Sequence, residues 1–126
     1  MTPDEFWENE FGNSHYEKDF AGRQIKKSAY KDGSNYEWDL DHILPLKLKT
    51  KGKTDNINNW QIAHVQTNRE KADNNPFDID NKKYQIKKVK NLYEEDIIAP
   101  YPYERNGKKY CIIILGEYTW KINYIL

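Results

Sequence analysis

The residues best suited to chemistry lie in one segment, 36–74, where a carboxylate, an imidazole and side-chain amides follow one another. Asp41 and His42 are adjacent, and Asn59 and Asn68 come later in the segment. Carboxylate and amide oxygens are ligands that a hard divalent cation such as Mg²⁺ prefers. A histidine that stays unligated can accept a proton from water near neutral pH. The segment therefore predicts a site at which a cation and a base act together on water.

These residues fall in three short motifs, which read D-H-I-L-P at 41–45, N-W-Q at 59–61 and N-R-E-K at 68–71. In this order and at these distances, the motifs resemble those of the HNH endonuclease family, the ββα-metal nucleases. The resemblance implies that the first motif ends a strand, that the second lies on another strand, and that the third lies on a short helix.

The resemblance also implies a role for each side chain. His42 would be the general base that deprotonates the attacking water, and Asp41 and Asn68 would hold one Mg²⁺ or Mn²⁺ ion against the scissile phosphate. Asn59 matches the amide that braces the loop between the strands and orients the histidine. Lys71 matches a helix lysine that neutralises phosphate charge. Taken singly, His42 could be a core histidine, Asn68 a helix-start residue and Lys71 a solvated lysine, but the three motifs together favour the metal site.

Many members of the family also bind a structural zinc through paired Cys-x-x-Cys motifs. This chain has a single cysteine, Cys111, so we expect neither a zinc scaffold nor an intramolecular disulfide. One such pair would fall at His64 and Thr67. We expect His64 to support the site, although its ligation of a metal is left open. Packing of the aromatic-rich flanks would then have to hold the fold.

The formal net charge is zero, which argues against a protein that coats nucleic acid by bulk charge. The basic residues are nevertheless segregated from the acidic ones, and such segregation can build a local surface for phosphate. A solvated face is an equally reasonable interpretation. The candidates for contact with DNA are Arg23, Lys26, Lys27, Lys47, Lys49, Lys51, Lys53 and Arg69.

Composition limits the class of protein. Hydrophobic residues make up 37% of the chain and charged residues 32%, which is typical of a soluble globular domain. The first ten residues are acidic and contain no apolar core, unlike a signal peptide, and no apolar run approaches the length of a membrane span. We expect a cytoplasmic protein with no membrane partner.

The N-terminal half contains clear start and turn signals. Thr2 and Glu5 form a capping box for a helix that Gly12 can end, and a short hairpin over 18–30 would turn at Ala21-Gly22. Strands are expected over 36–44 and 57–65. A second capping box, Thr67 to Glu70, predicts a helix that begins at Thr67 and ends near 74–76.

The C-terminal part reads as antiparallel strands that support the site. Asn106-Gly107 fits a type I′ hairpin turn, the apolar run over 109–115 predicts a buried strand, and 118–126 alternates like a half-buried strand. Another strand is expected around the QIKKVK run, residues 85–90.

The sequence therefore predicts one α+β domain over 1–126, with a ββα-metal core over about 36–75, an N-terminal helix and an antiparallel β extension over about 84–126. The expected function is metal-dependent endonucleolytic cleavage of phosphodiester bonds, with DNA as the partner. Two alternatives stay open: a non-catalytic module on the same scaffold that binds nucleic acid or protein, and a nuclease subunit that is active only with a partner.

Overall fold

In a computed structural model, the structure describes residues 1–48, 56–88 and 108–115. These residues form a small α+β protein with two helices and several antiparallel strands, as predicted. In chain order, the helices and strands are α1 (Pro3–Phe11), β1 (Tyr16–Lys18), β2 (Gln24–Lys26), β3 (Trp38–His42), β4 (Trp60–His64), α2 (Val65–Lys71), β5 (Phe77–Ile79), β6 (Lys82–Lys88) and β7 (Tyr110–Ile114). The strands pair as β1-β2, as β3-β4 and as the three-stranded sheet β5-β6-β7.

Helix α1 follows directly from local signals in the sequence. The hydroxyl Oγ1 of Thr2 accepts a hydrogen bond from the backbone N–H of Glu5 at 3.1 Å, which satisfies one of the free donors of the first turn. Gly12 ends the helix at φ +67°, a conformation that glycine adopts without the steric cost of a side chain. The predicted cap at Thr2 and the predicted stop at Gly12 are confirmed.

Helix α1 packs against the β3-β4 pair through aromatic side chains. The ring centroids of Trp7 and Trp38 lie 5.2 Å apart, and both residues are fully buried. Burial of such large rings supplies much of the stabilisation in a domain of this size. The first hydrophobic core consists of Phe6, Trp7, Ile25, Ala29, Trp38 and Ile62. The predicted N-terminal hairpin, β1-β2, contributes Ile25 to this core.

The β3-β4 pair is antiparallel, and both strands are shorter than the sequence predicted. Trp38 lies opposite His64 at one end of the pair, and His42 lies opposite Trp60 at the other. Strand β3 ends at His42. The next residue, Ile43, still follows the same register, because its backbone N–H donates to the carbonyl of Asn59 at 2.7 Å.

A second core lies beneath the C-terminal sheet and includes Ile43, the residue that follows β3. The rings of Phe77 and Tyr84 stack across β5 and β6, with centroids 5.4 Å apart. Strand β7 falls within the predicted strand over 109–115, and β6 covers part of the predicted QIKKVK strand. The predicted Asn106-Gly107 turn and the predicted strand over 118–126 lie outside the described residues.

A buried ion pair connects the C-terminal segment to the rest of the fold. The ammonium of Lys108 lies 2.6 Å from Oε1 of Glu10 in α1, and both side chains are at most 5% exposed. The same ammonium donates to the backbone carbonyl of Trp60 at the start of β4. This contact ties the start of β4 to α1 and to the C-terminal segment. Over the described ranges, no helix is both long and apolar enough to span a lipid bilayer.

Candidate functional site

Asp41, near the end of β3, faces helix α2 and is almost fully enclosed. Its side chain is 9% exposed, and its Oδ2 accepts a hydrogen bond from Nε2 of Gln61 at 2.9 Å. Gln61 is the cross-strand partner of Asp41 in β4, so the β register itself brings the two together. Burial raises the pKa of the Asp41 carboxyl, whereas the Lys71 ammonium and the Gln61 amide act in the opposite direction.

Lys71, the last residue of α2, is the third member of this group. Its Nζ lies 3.2 Å from Oδ2 of Asp41 and donates to the backbone carbonyl of His42 at 2.7 Å. The lysine is fully buried, and burial lowers the pKa of its ammonium group, which the Asp41 carboxylate partly offsets. The sequence suggested a lysine that faces phosphate or solvent. In the structure, two internal acceptors hold its ammonium instead.

His42 follows Asp41 and is the last residue of β3. It is half-buried, and its ring meets that of Trp60, its cross-strand partner, nearly at right angles with centroids 6.4 Å apart. Neighbouring residues on a regular strand point to opposite faces. Asp41 and His42 nevertheless border a common space at the end of β3.

That space is a cavity of about 270 Å³ between the end of β3, the following loop and the last turn of α2. The cavity brings together Asp41, His42, Asn68 and Lys71, all of which the sequence had singled out. Its complete lining is Asp41, His42, Pro45, Leu46, Lys47, Asn68, Lys71, Ala72 and Asp73.

Asp73 is a site residue that the sequence reasoning missed. It adds a second carboxylate to the cavity wall, just beyond the end of α2. The sequence feature that could have identified it is its position two residues after Lys71, where a short helix ends. The helix was predicted to continue to about residue 74, which would have turned Asp73 away from the site.

Asn59 lies behind the cavity and does not line it. Its side chain accepts from the backbone N–H of Leu44 and donates to the carbonyl of the same residue, both at 2.8 Å. With only 2% of its surface exposed, Asn59 clamps the segment that carries Pro45 into the cavity wall. This is the bracing position that the sequence suggested for it.

Helix α2 does not begin where the sequence predicted. It begins at Val65, with His64 as the capping residue: Nδ1 of His64 accepts from the backbone N–H of Gln66 at 3.0 Å. The predicted capping box at Thr67 is wrong, since Thr67 is a buried residue within the helix. The His64 ring also contacts the carbonyl of Asn35 through Nε2 at 2.8 Å. These two contacts give His64 a structural role.

Arg23 was expected to contact DNA, but its guanidinium is engaged within the protein. Nη1 donates to Oγ1 of Thr67 at 3.0 Å, and Nη2 lies 2.8 Å from Oε2 of Glu70. A hydrogen bond from Gln66 and the contact with Arg23 lower the pKa of Glu70. Arg23 thus ties the β1-β2 hairpin to α2. Its contact with DNA stays a prediction.

The other predicted cationic contacts differ in their placement. Lys47 is exposed on the cavity rim, and Arg69 is exposed while donating to Oε1 of Gln66 at 2.9 Å. Lys27 forms an ion pair with Glu8 at 2.8 Å, and Lys26 lies over the Tyr16 ring. The remaining candidates, Lys49, Lys51 and Lys53, lie outside the described residues.

The donor set around the cavity suits a cation that takes most of its ligands from outside the protein. Among residues 1–48, 56–88 and 108–115, no three His, Cys, Asp or Glu side chains form a group that could hold a metal by themselves. Mg²⁺ is commonly bound by one or two carboxylates together with water and substrate phosphate. Asp41, with Asn68 and Asp73 on the same cavity, offers that kind of partial set.

Comparisons with known proteins give no further assignment. The chain matches no protein-family model, no curated protein and no solved structure at a significant level.

Proposed function

We propose that this protein is a metal-dependent endonuclease that hydrolyses phosphodiester bonds in DNA. The observation that carries the proposal is the cavity of about 270 Å³ on which Asp41, His42 and Asn68 converge from two separate segments. In the proposal, Asp41 and Asn68 hold one Mg²⁺ or Mn²⁺ ion. Such a cation, when bound, polarises a phosphate and neutralises the charge that develops during hydrolysis.

His42 serves as the general base. An imidazole at the edge of the cavity can take the proton of a water molecule that attacks phosphorus. Two contacts restrict the movement of His42. The Trp60 ring lies against the imidazole, and the Lys71 ammonium donates to the backbone carbonyl of His42. A base that is held in this way loses less freedom when the reacting groups come together.

Gln61 and Lys71 position the carboxylate in this mechanism. Both donate to Oδ2 of Asp41, so the orientation of the carboxylate is fixed before any ligand arrives. Lys71 also donates to the backbone carbonyl of His42, and this couples the carboxylate to the base. The exposed Lys47 on the cavity rim is then better placed than Lys71 to meet a substrate phosphate.

The same ion pair favours a second candidate function. Because an internal ammonium already compensates the charge of Asp41, a scaffold of this kind could bind nucleic acid without cutting it. In that case Asp41 and Lys71 would serve only to hold β3 against α2. The two candidates differ in whether the purified protein breaks a phosphodiester bond.

A plasmid-nicking assay separates them. Supercoiled DNA is incubated with the wild-type protein and Mg²⁺ or Mn²⁺, and the nicked and linear forms are measured over time. We expect cleavage that EDTA stops and that His42→Ala abolishes while the variant stays folded. Cleavage that survives both changes would overturn the catalytic assignment, and DNA binding without cleavage would favour the non-cutting module.

A further inference from the structure

A second surface with the chemistry for nucleic acid lies away from the cavity, and we call it the tyrosine platform. It consists of Tyr16, Tyr36 and Lys26. The two tyrosines are 51% and 42% exposed, and their ring centroids lie 6.4 Å apart at an interplanar angle of 89°. The ammonium of Lys26 lies 5.6 Å from the centre of the Tyr16 ring. Two exposed aromatic rings and a cation thus meet at one place.

The backbone fixes this arrangement. Tyr16 and Lys26 are cross-strand partners in the β1-β2 hairpin, and the backbone N–H of Lys26 donates to the carbonyl of Tyr36 at 3.3 Å. Main-chain hydrogen bonds therefore fix the backbone positions of the three residues, and these positions bring their side chains together. Rings that are ordered in advance lose little conformational entropy when a ligand stacks on them.

A second cavity, of about 250 Å³, adjoins the platform and shares Lys26 with it. Its other lining residues are Asp4, His15, Lys27 and Ser28. Ammonium, imidazole and hydroxyl groups are donors to phosphate oxygens. The Asp4 carboxylate and the Lys27–Glu8 ion pair offset part of the positive charge, which predicts moderate affinity.

We propose that the tyrosine platform binds unpaired nucleotides of a nucleic-acid strand, with bases stacked on Tyr16 and Tyr36 and the backbone phosphate near Lys26. Aromatic rings beside cations are the common means of binding single strands, because every base offers a flat face to stack on. Bases within a duplex are stacked on one another and offer no such face. The inference rests on the proposed function, since it specifies the form of the nucleic-acid substrate.

The platform and the catalytic cavity lie at opposite ends of one strand. Tyr36 precedes β3, whereas His42 is its last residue. At about 3.3 Å per residue, the two positions are separated by at most about 20 Å. A substrate that reaches both would have unpaired nucleotides only a few positions from the scissile phosphate. We therefore expect DNA with a single-stranded segment or a branch to be preferred over uninterrupted duplex.

The test measures binding without cleavage. Fluorescence anisotropy of a short fluorescein-labelled oligo(dT) is recorded with His42→Ala protein in EDTA as the parent. We expect Tyr16→Ala and Tyr36→Ala each to weaken binding on the order of tenfold, and Tyr36→Phe to retain it because the ring remains. Lys26→Gln should weaken binding and lower the salt dependence by about one counterion. Lys82→Gln, an exposed lysine on β6, is the matched control and should bind as the parent does.

Three results would overturn the proposal: no binding of oligo(dT) by the parent, unchanged affinity in both tyrosine-to-alanine variants, or equal affinity for a duplex of the same length. Circular dichroism of each variant checks that it is folded. If the wild type nicks DNA but one of these three results is obtained, only the tyrosine platform is excluded and the proposed nuclease function stands. Binding that depends on the tyrosines, without any nicking, would keep the platform and remove the nuclease assignment.

Discussion

The ammonium of Lys71 lies 3.2 Å from the carboxylate of Asp41, and the two side chains are 1% and 9% exposed. This buried ion pair joins the end of β3 to the end of α2, at the wall of the cavity that holds the proposed site. Loss of one partner would leave a largely buried charge without its counter-ion. The pair is therefore a structural element as well as part of the proposed site.

The ion pair makes a prediction about stability. Lys71→Met should lower the free energy of unfolding by about 3 to 5 kcal/mol, because the Asp41 carboxylate is left without its partner. The double variant Asp41→Asn/Lys71→Met should recover much of this loss. Urea unfolding curves give both values. As a control, Lys83→Met breaks the exposed pair with Asp78 and should cost about 1 kcal/mol or less; similar losses at Lys71 and Lys83 would refute the prediction.

The two histidines of the strand–strand–helix unit should behave oppositely. His42→Ala should abolish nicking with little change in thermal stability, because its half-buried ring does not cap a helix. His64→Ala should keep nicking activity but lower stability by about 1 kcal/mol, since it removes the side-chain cap of α2. Nicking rates and melting temperatures of the two variants are compared. The reverse pattern would exchange the roles assigned to the two residues.

Asn59 should matter for both stability and activity. Asn59→Ala removes two buried hydrogen bonds to Leu44, and we expect a loss of about 2 to 3 kcal/mol together with slower nicking. The slower reaction follows because the segment that carries Pro45 into the cavity wall is released. Asn58→Ala, in the neighbouring position, is the matched control for urea unfolding and for nicking. Equal effects at both positions would argue against a specific brace.

Cys111 provides a test of the burial of strand β7. Burial raises the pKa of its thiol to about 12, from an ordinary value of 9.0. The protonated thiol therefore makes its full contribution to the free energy of unfolding below about pH 9. This contribution is lost as the pH rises from about 9 towards 12. At neutral pH the native protein should react very slowly with a disulfide reagent such as DTNB and rapidly once unfolded in urea. Fast reaction in the native state would show that the Cys111 thiol is accessible to solvent, and would contradict the prediction.

Much of the fold could be predicted because its signals are local. The cap at Thr2, the stop at Gly12 and the turn at Gly22 depend on residues a few positions apart. The order of strand, strand and helix between Trp38 and Lys71 follows from alternating apolar residues and from short breaks. Local chemistry of this kind is visible in a sequence.

The features that were missed depend on distant partners. Helix α2 starts early because the His64 ring caps it, and Thr67 instead receives Arg23 from 44 residues away in sequence. Lys71 and Arg23 could be recognised as basic, but only the fold decides whether a cation meets solvent or an internal carboxylate. The sequence thus identified residues that line one cavity, but it did not predict the contacts of the basic side chains Lys71 and Arg23.

In the proposed mechanism, Asp41 and Asn68 share one cation beside His42. Crystals soaked in Mn²⁺ and measured at a wavelength with anomalous signal test it directly. We predict one strong peak within about 2.5 Å of oxygen atoms of both residues, with the Lys71 ammonium still bonded to the His42 carbonyl. If the protein nicks DNA with Mn²⁺ but its crystals show no such peak in the cavity, the proposed cation site at Asp41 and Asn68 is contradicted.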